Sequence, residues 1–472
     1  MSAGPAALPA GAFASSRRAS LAAATAEAEP RWTIFHTTLA VLLLTYVWRL
    51  QDLFPVLQAV KLVPLASLAA IALFLVMDGG ARLGAVSRTP LFRLAGALLL
   101  LMVLSVPGSV FPGNSFRFIY QDHVKTFLLT VLLMAGVSST RQVERLAAVQ
   151  VAGAVIYTVF VLTHFDPSGG RLQGLVFYDS NDLGMLLVCA LPFAVLFLRP
   201  GRPVVVRLMA AAAIGVCVLG IVRSGSRGGL LGLAAVALYM LFRFTAFRRG
   251  ARIGALVGGL ALLLVIGNAQ YWEMMETLLH PTTDYNWSGN SSEGRMEVWK
   301  RGVGYMADRP VLGVGVSGFY VAEGTLSPRA RFQQYGRGMK WSAPHNSFVQ
   351  VGAELGVTGL VLFLLLLRAG FRAARPPGLA SRDGARASPD LALGQALAAS
   401  LLGYVVTGFF LSQAYAAFLY TLLGMIGAYA RDEAPAPAPL PARPLGRGGG
   451  WNRPPVPGAL PTLSTQHSGP ST

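Results

Sequence analysis

Apolar runs separated by short polar turns fill most of this chain. They lie at about 33–50, 56–77, 91–107, 123–137, 144–164, 183–198, 205–222, 228–245, 252–267, 346–367, 390–411 and 413–430. Each approaches the roughly 20 residues that a helix needs to cross a bilayer. Helices satisfy their own backbone hydrogen bonds in lipid, so the pattern predicts an all-α, polytopic membrane protein with about 12 transmembrane helices. One interruption is far longer than the rest. From 268 to 345 the apolar pattern gives way to a polar stretch, which ends in Trp341-Ser-Ala-Pro-His-Asn-Ser-Phe348 and runs straight into the next apolar segment.

This pattern divides the chain. Residues 1–30, rich in Ala, Pro and Ser, read as a disordered cytoplasmic tail, and 31–267 holds the first nine spans. Residues 268–345 form one large loop, and 346–430 holds the last three spans. Residues 431–472, with Ala434-Pro-Ala-Pro-Ala-Pro439 and Gly448-Gly-Gly450, read as a second disordered cytoplasmic tail. Ser16-Arg-Arg-Ala-Ser-Leu21 resembles a twin-arginine export signal, but the apolar region after it is too short for one.

Charge orients the spans. With the N-terminus inside, the inner connections carry Arg82 and Arg88, Arg141 and Arg145, Arg199, Arg202 and Arg207, Arg248 and Arg249, and Arg368 to Arg386. This is the positive-inside bias, and it puts the 268–345 loop on the outer face. A chain that is 54% hydrophobic and only 13% charged has too little charged surface for a soluble protein of this length. The net charge of +18 then reflects topology and contact with anionic membrane lipids, with no nucleic-acid partner implied. Cys189 and Cys217 both lie in apolar runs and read as packing residues.

The arginines that break the charge rule carry more information. Arg117, Arg171, Arg223 and Arg227 fall in short outer connections, where cations oppose the orientation preference. Single arginines there can reach headgroups. Several on one face make an anion site, because guanidinium groups grip phosphate bidentately and glycine-flanked turns such as Arg223-Ser-Gly-Ser-Arg-Gly-Gly229 admit backbone N–H groups. Within the loop, Ser291 and Ser292 sit at a plausible helix start, followed by Arg295. Val298, Trp299, Tyr305 and Met306 then give an apolar stripe, and Gly313-Val-Gly-Val-Ser-Gly318 gives a tight turn.

In the segment after the loop, Asn346, Gln350 and Glu354 recur every four residues, which predicts a polar stripe facing a cavity. Gly352, Gly356 and Gly359 on the other side predict close packing against a neighbouring helix. Glu354 is an intramembrane acid and therefore a functional candidate. His345 stands at the loop's exit, where a histidine of ordinary pKa, about 6.5, can take a proton from an attacking hydroxyl. No Walker loop, zinc spacing or Ser-His-Asp arrangement is present in the sequence. Outside the cytoplasm there is no ATP, so bond formation there needs a pre-activated, membrane-carried donor. A lipid diphosphate is one, and arginines stabilise its leaving group as preorganised cations.

Several pieces, in order, resemble the O-antigen ligase and O-antigen polymerase family of bacterial membrane glycosyltransferases. They are Ser226-Arg-Gly-Gly229, Arg295 with Trp299, Pro310-Val-Leu-Gly-Val-Gly315, His345-Asn-Ser-Phe348 and Glu354-Leu-Gly-Val-Thr-Gly-Leu360, with Arg171 and Asn181 resembling earlier outer-loop positions. The resemblance covers about 165–365 and implies a C-type-glycosyltransferase-like fold in the inner membrane with a periplasmic active site. It implies a donor glycan on undecaprenyl diphosphate and a glycan, lipid A-core or glycoprotein acceptor. The reaction it implies is inverting and metal-independent, with no cofactor, although Asp179 and Asp182 leave a metal-dependent variant open. It casts Arg227 and Arg295 as diphosphate-holding catalytic residues and His345 as the base. Arg171, Asn181, Arg223, Asn346, Gln350 and Glu354 are then candidates for substrate binding. A ligase is the leading reading. A repeat-unit polymerase, a non-catalytic transporter or flippase of lipid-linked sugars, and a non-catalytic envelope assembly subunit are the alternatives.

Overall fold

The computed structural model describes residues 31–77, 79–165, 167–168, 171–172, 175, 177–280, 284, 286–287, 291, 293–332, 341–375 and 389–432. Both expected tails, apart from the first two residues of the second, lie outside these residues, as do Arg382, Arg386 and Ser292. The described chain is almost entirely helical. Its one sheet is a two-residue antiparallel pair, Pro167–Ser168 with Arg171–Leu172, in which Ser168 faces Arg171. Every one of the twelve apolar segments forms a helix. Six of these helices are long and apolar enough to cross a membrane: Thr140–His164, Ser180–Phe197, Val204–Ser224, Arg249–Ile266, Ser347–Ala373 and Leu391–Gly408. The pair Leu62–Val76 and Gly79–Val86, bent by 94°, makes a seventh candidate, while Ile34–Tyr46 and Pro90–Ser105 are shorter apolar helices.

The Ser180–Phe197 helix is the centre of the bundle. Of its positions, 78% are buried, against 6% for Arg249–Ile266, which lies at the periphery. The central helix packs on Thr140–His164, Val204–Ser224, Arg227–Arg243 and Pro389–Gly408. Cys189 and Cys217 are buried in this core and unpaired to each other. Arginines expected on the inner side have structural partners: Arg199 and Arg202 share Glu144, and Arg431 donates to the carbonyls of Ala135 and Val137 at the end of the Val124–Gly136 helix. Cations placed there complement the helix's negative end.

The polar interruption is no separate domain. It contributes the helices Ala269–Glu276, Arg295–Asp308 and Phe319–Thr325. The second of these begins at Arg295 itself, after Gly294, and Ser291 lies in the turn before it, accepting from the N–H of Gly294 and Glu293. Val298, Tyr305, Val314, Phe319 and Ala322 bury a small core together with Ala353 of the following span. Arg301 grips Glu323 through two hydrogen bonds of 2.8 and 2.6 Å, and the Tyr305 hydroxyl donates to the same carboxylate at 2.9 Å. Burial opposes the Arg301 charge, but the Glu323 hydrogen bond and charge outweigh it, so its pKa lies above the usual value. Burial and the neighbouring Glu323 likewise push Tyr305 up.

The Ser347–Ala373 helix is broken. Gly356 has φ 70° and ψ −173°, which interrupts the helix after two turns. The carbonyls freed by the break accept from the loop: Val314 N–H bonds Ala353 O (2.9 Å) and Gly315 N–H bonds Glu354 O (3.0 Å). In return Val357 N–H donates to Pro310 O (2.8 Å). The glycine face expected to meet a neighbouring span therefore meets the loop instead, Gly352 against Met306 and Gly356 against Pro310. The period identified the face correctly; a break in the helix, which periodicity does not report, changed its partner.

Gly356→Ala would combine a left-handed backbone with a methyl driven into the Pro310 carbonyl. It should cost about 2–4 kcal/mol from strain and overpacking together. Gly304→Ala, on a helix of the same loop and with open space around it, should instead stabilise by up to about 1 kcal/mol. Thermal unfolding of both variants in detergent, followed by tryptophan fluorescence, checks the pair. Equal effects would show that the break is not required.

Candidate anion site and its neighbours

Chain segments distant in sequence meet at one pocket, lined on its polar side by Arg171, Asn181, Ser226, Arg227, Gly228 and Arg295, and on its apolar side by Met274, Phe410 and Leu411. Three helices start here. Asn181 is the second residue of Ser180–Phe197, Arg227 the first of Arg227–Arg243 and Arg295 the first of Arg295–Asp308. Helix starts carry a partial positive charge and unpaired N–H groups. The pocket thus brings three helix starts and three guanidinium groups together, a setting favourable to negative charge.

Local sequence dictates these starts. Ser226 caps the Arg227 helix, its hydroxyl accepting from Gly229 N–H at 3.0 Å. Asp179 caps the central helix, accepting from the N–H of Asn181 (2.7 Å) and Asp182 (2.8 Å), while the Asp182 carboxylate accepts from Asp179 N–H (3.2 Å) and Gln413 Nε2 (2.7 Å). Both aspartates are thus engaged in a capping box and an interhelical tie. Gly225, at φ 59°, ends the Val204–Ser224 helix and turns the chain into the next, with Arg171 beside it. The two close turns need no side chain at Gly184 either, where a Cβ would meet Ser226.

Of the sequence candidates, Arg171, Asn181, Arg227 and Arg295 come together in this pocket. Arg223 is exposed and outside its lining, one turn before the cap. Arg117, also exposed, donates to Gln121. Arg49, a further outer-side arginine that the charge pattern did not single out, pairs with Asp52 and stacks 3.8 Å over Phe177.

His345 is half-buried at a left-handed backbone position, φ 45°. Two bonds hold its peptide: its N–H donates to Ser412 Oγ (2.8 Å), and the preceding carbonyl of Pro344 accepts from the Trp299 indole (2.7 Å). Ser412 follows Leu411 and Phe410 of the pocket wall, so the histidine is tied directly to a neighbour of that wall. The strained backbone is stabilised by its surroundings, as strain at functional positions is.

The polar stripe does not line the pocket. Asn346 caps the Ser347–Ala373 helix, accepting from the N–H of Phe348 (2.9 Å) and Val349 (3.0 Å). Gln350 accepts from Ala414 N–H (3.3 Å), and Glu354 accepts from Phe319 N–H (3.3 Å). Ser347 completes the set, donating to Leu411 O (2.7 Å) and accepting from Gln413 N–H (3.1 Å). Gln350 and Ser347 thus bond a strap, residues 409–415, that connects the last two long helices, whereas Asn346 bonds its own helix and Glu354 the loop. Sequence reasoning missed the strap because all but one of its residues were read as the ends of the apolar runs 390–411 and 413–430. It also missed Asp284, a buried loop carboxylate paired with Arg227, which also donates to Thr277 Oγ1 at 2.8 Å. Nothing in a long polar loop marks one aspartate from another.

Six helices long and apolar enough to cross a membrane, one of them broken and packed against the loop, mark a multi-pass membrane protein with a pocket lined by three arginines. Residues 210–364 match the family model described as O-antigen ligase. That stretch, about a third of the chain, is similar to the O-antigen ligase family of membrane glycosyltransferases. The match takes in Arg227, Arg295 and His345, whereas Arg171, Asn181 and the strap lie outside it. A comparison with curated proteins found no match.

The cap assigned to Asn346 separates structure from substrate contact. Asn346→Asp keeps a cap acceptor and should fold and work like the parent protein. Asn346→Ala should lose about 1 kcal/mol of stability. Thermal unfolding and activity measured side by side check this; equal loss of activity in both variants would assign Asn346 to substrate instead.

Proposed function

We propose that this protein is an O-antigen ligase-like enzyme of the bacterial inner membrane. It moves a glycan from undecaprenyl diphosphate to an acceptor hydroxyl, on lipid A-core or a similar molecule, at the periplasmic face. The observation that carries the reading is the convergence of Arg171, Arg227 and Arg295 on three helix starts, with His345 bonded to the adjoining strap. In this reading the chain crosses the membrane twelve times, and the 268–345 loop covers the donor from the periplasmic side.

The chemistry follows from the charges. The acceptor oxygen attacks the anomeric carbon, the bond from that carbon to the diphosphate breaks, and configuration inverts. His345 takes the acceptor's proton, and the diphosphate leaves with its new charge held by Arg227 and Arg295. Arg171 and Asn181 bind the diphosphate or the first sugar. The guanidinium groups supply the positive charge, so the reaction needs no divalent cation. Transfer to a second lipid-linked repeat instead of lipid A-core would make the same site a polymerase, and the acceptor that becomes glycosylated decides between the two.

The test uses purified full-length protein with a lipid-diphosphate glycan and each acceptor. His345→Ala should reduce turnover by about 10²–10⁴-fold with donor KM little changed. Arg227→Gln and Arg295→Gln should each lose about 10²–10³-fold. A chelator should leave the rate unchanged. Full turnover by His345→Ala would remove the histidine from the mechanism, and movement of donor across the bilayer without product would make the protein a transporter.

A further inference from the structure

Arg227, one of the three arginines of the pocket, already holds an anion. Asp284 pairs with it, and the Asp284 side chain is only 5% exposed against 25% for Arg227. Burying a carboxylate this far is unfavourable unless it is paired and hydrogen-bonded. Its second oxygen is satisfied as well, accepting from both the backbone N–H (2.8 Å) and the side-chain amide (2.9 Å) of Asn286.

The turn that carries Asp284 reaches the other parts of the site. Trp287 N–H closes it onto the Asp284 carbonyl (2.9 Å), and the Asn286 carbonyl accepts from Met296 N–H (3.1 Å), in the first turn of the Arg295 helix. The Trp287 ring meets Trp299 edge-on at 5.3 Å and Phe410 of the pocket wall at 6.2 Å. Trp299 in turn holds the Pro344 carbonyl, next to His345.

We propose that Asp284 is the pocket's resident anion: it occupies the Arg227 guanidinium until a diphosphate displaces it, and the displacement is transmitted through Trp287 and Trp299 to His345. The proposal rests on the reading of the pocket as a diphosphate site. A carboxylate and a phosphate compete for the same guanidinium fork, so the protein stays folded around a neutralised arginine when empty. Donor binding releases the turn, and the histidine is aligned only when the donor is present.

The experiment measures binding of inorganic pyrophosphate to the full-length protein in detergent at low salt. Asp284→Asn keeps an acceptor for Asn286 and removes the competing charge, so it should bind pyrophosphate about tenfold more tightly than the parent. The double variant Arg227→Gln/Asp284→Asn, which leaves no unpaired charge and so serves as the folded control, should show no gain over Arg227→Gln alone. Pyrophosphate should also change the tryptophan fluorescence of the parent, and Trp287→Phe should remove that change. Equal or weaker binding by Asp284→Asn, or turnover lost with affinity unchanged, would overturn the proposal. A fluorescence response that survives Trp287→Phe would overturn the transmission to His345. Absence of binding by both parent and Asp284→Asn would instead overturn the anion-site reading on which it stands.

Discussion

A helix in lipid that breaks must find partners for the backbone groups the break exposes, and this requirement ties the loop to the membrane. At Gly356 the Ser347–Ala373 helix leaves the carbonyls of Ala353 and Glu354 without their usual partners, and Val314 and Gly315 of the loop supply them. An unsatisfied group in a bilayer costs several kcal/mol, so the loop is held as firmly as an extra turn of helix would be. The half-helix above the break has His345 at its head. The Arg295 helix packs along it, with Gly302 letting Val349 and Phe319 come close. One backbone exchange thus sets the relative positions of a proposed base and a proposed phosphate ligand that are 50 residues apart in sequence.

The strap at 409–415 closes the arrangement from the other side. Ser412, Leu411, Gln413 and Ala414 each bond the segment that runs from His345 to Gln350, while Gln413 also reaches Asp182 beside Asn181. The strap is held by the His345 N–H, the Ser347 hydroxyl and the Gln350 amide, so its register depends on the first turn of the helix that follows the loop. Gln350 has a positional role there, as one of the groups that hold the strap next to the pocket wall.

How much of this was legible in the sequence depends on the kind of signal. The long apolar helices followed from the pattern, because the requirement to bury backbone in lipid acts on every residue of a span; short ones such as Pro112–Phe118 and Ala269–Glu276 carried no such signal. The number of helices that cross the membrane did not, since several, such as Pro90–Ser105, are shorter than a span. Arg171, Arg227 and Arg295 stood out because each places a cation against the orientation rule or at a helix start. Asn346, Gln350 and Glu354 were read as one stripe facing a cavity, but periodicity says nothing about what lies opposite: Asn346 caps its own helix, Gln350 meets the strap and Glu354 meets the loop. Asp284 and the strap carry no local pattern at all; their roles arise from tertiary contacts between segments more than 50 residues apart.

The left-handed backbone at residue 345 narrows the side chains that can serve there. Glycine, asparagine, aspartate and histidine settle into that region far more readily than β-branched or bulky residues. Within this short menu, imidazole is the group that exchanges a proton near neutral pH without first being perturbed. A corner built with this geometry is therefore poorly suited to a β-branched side chain such as threonine, and histidine is the member of the menu that can move a proton there near neutral pH.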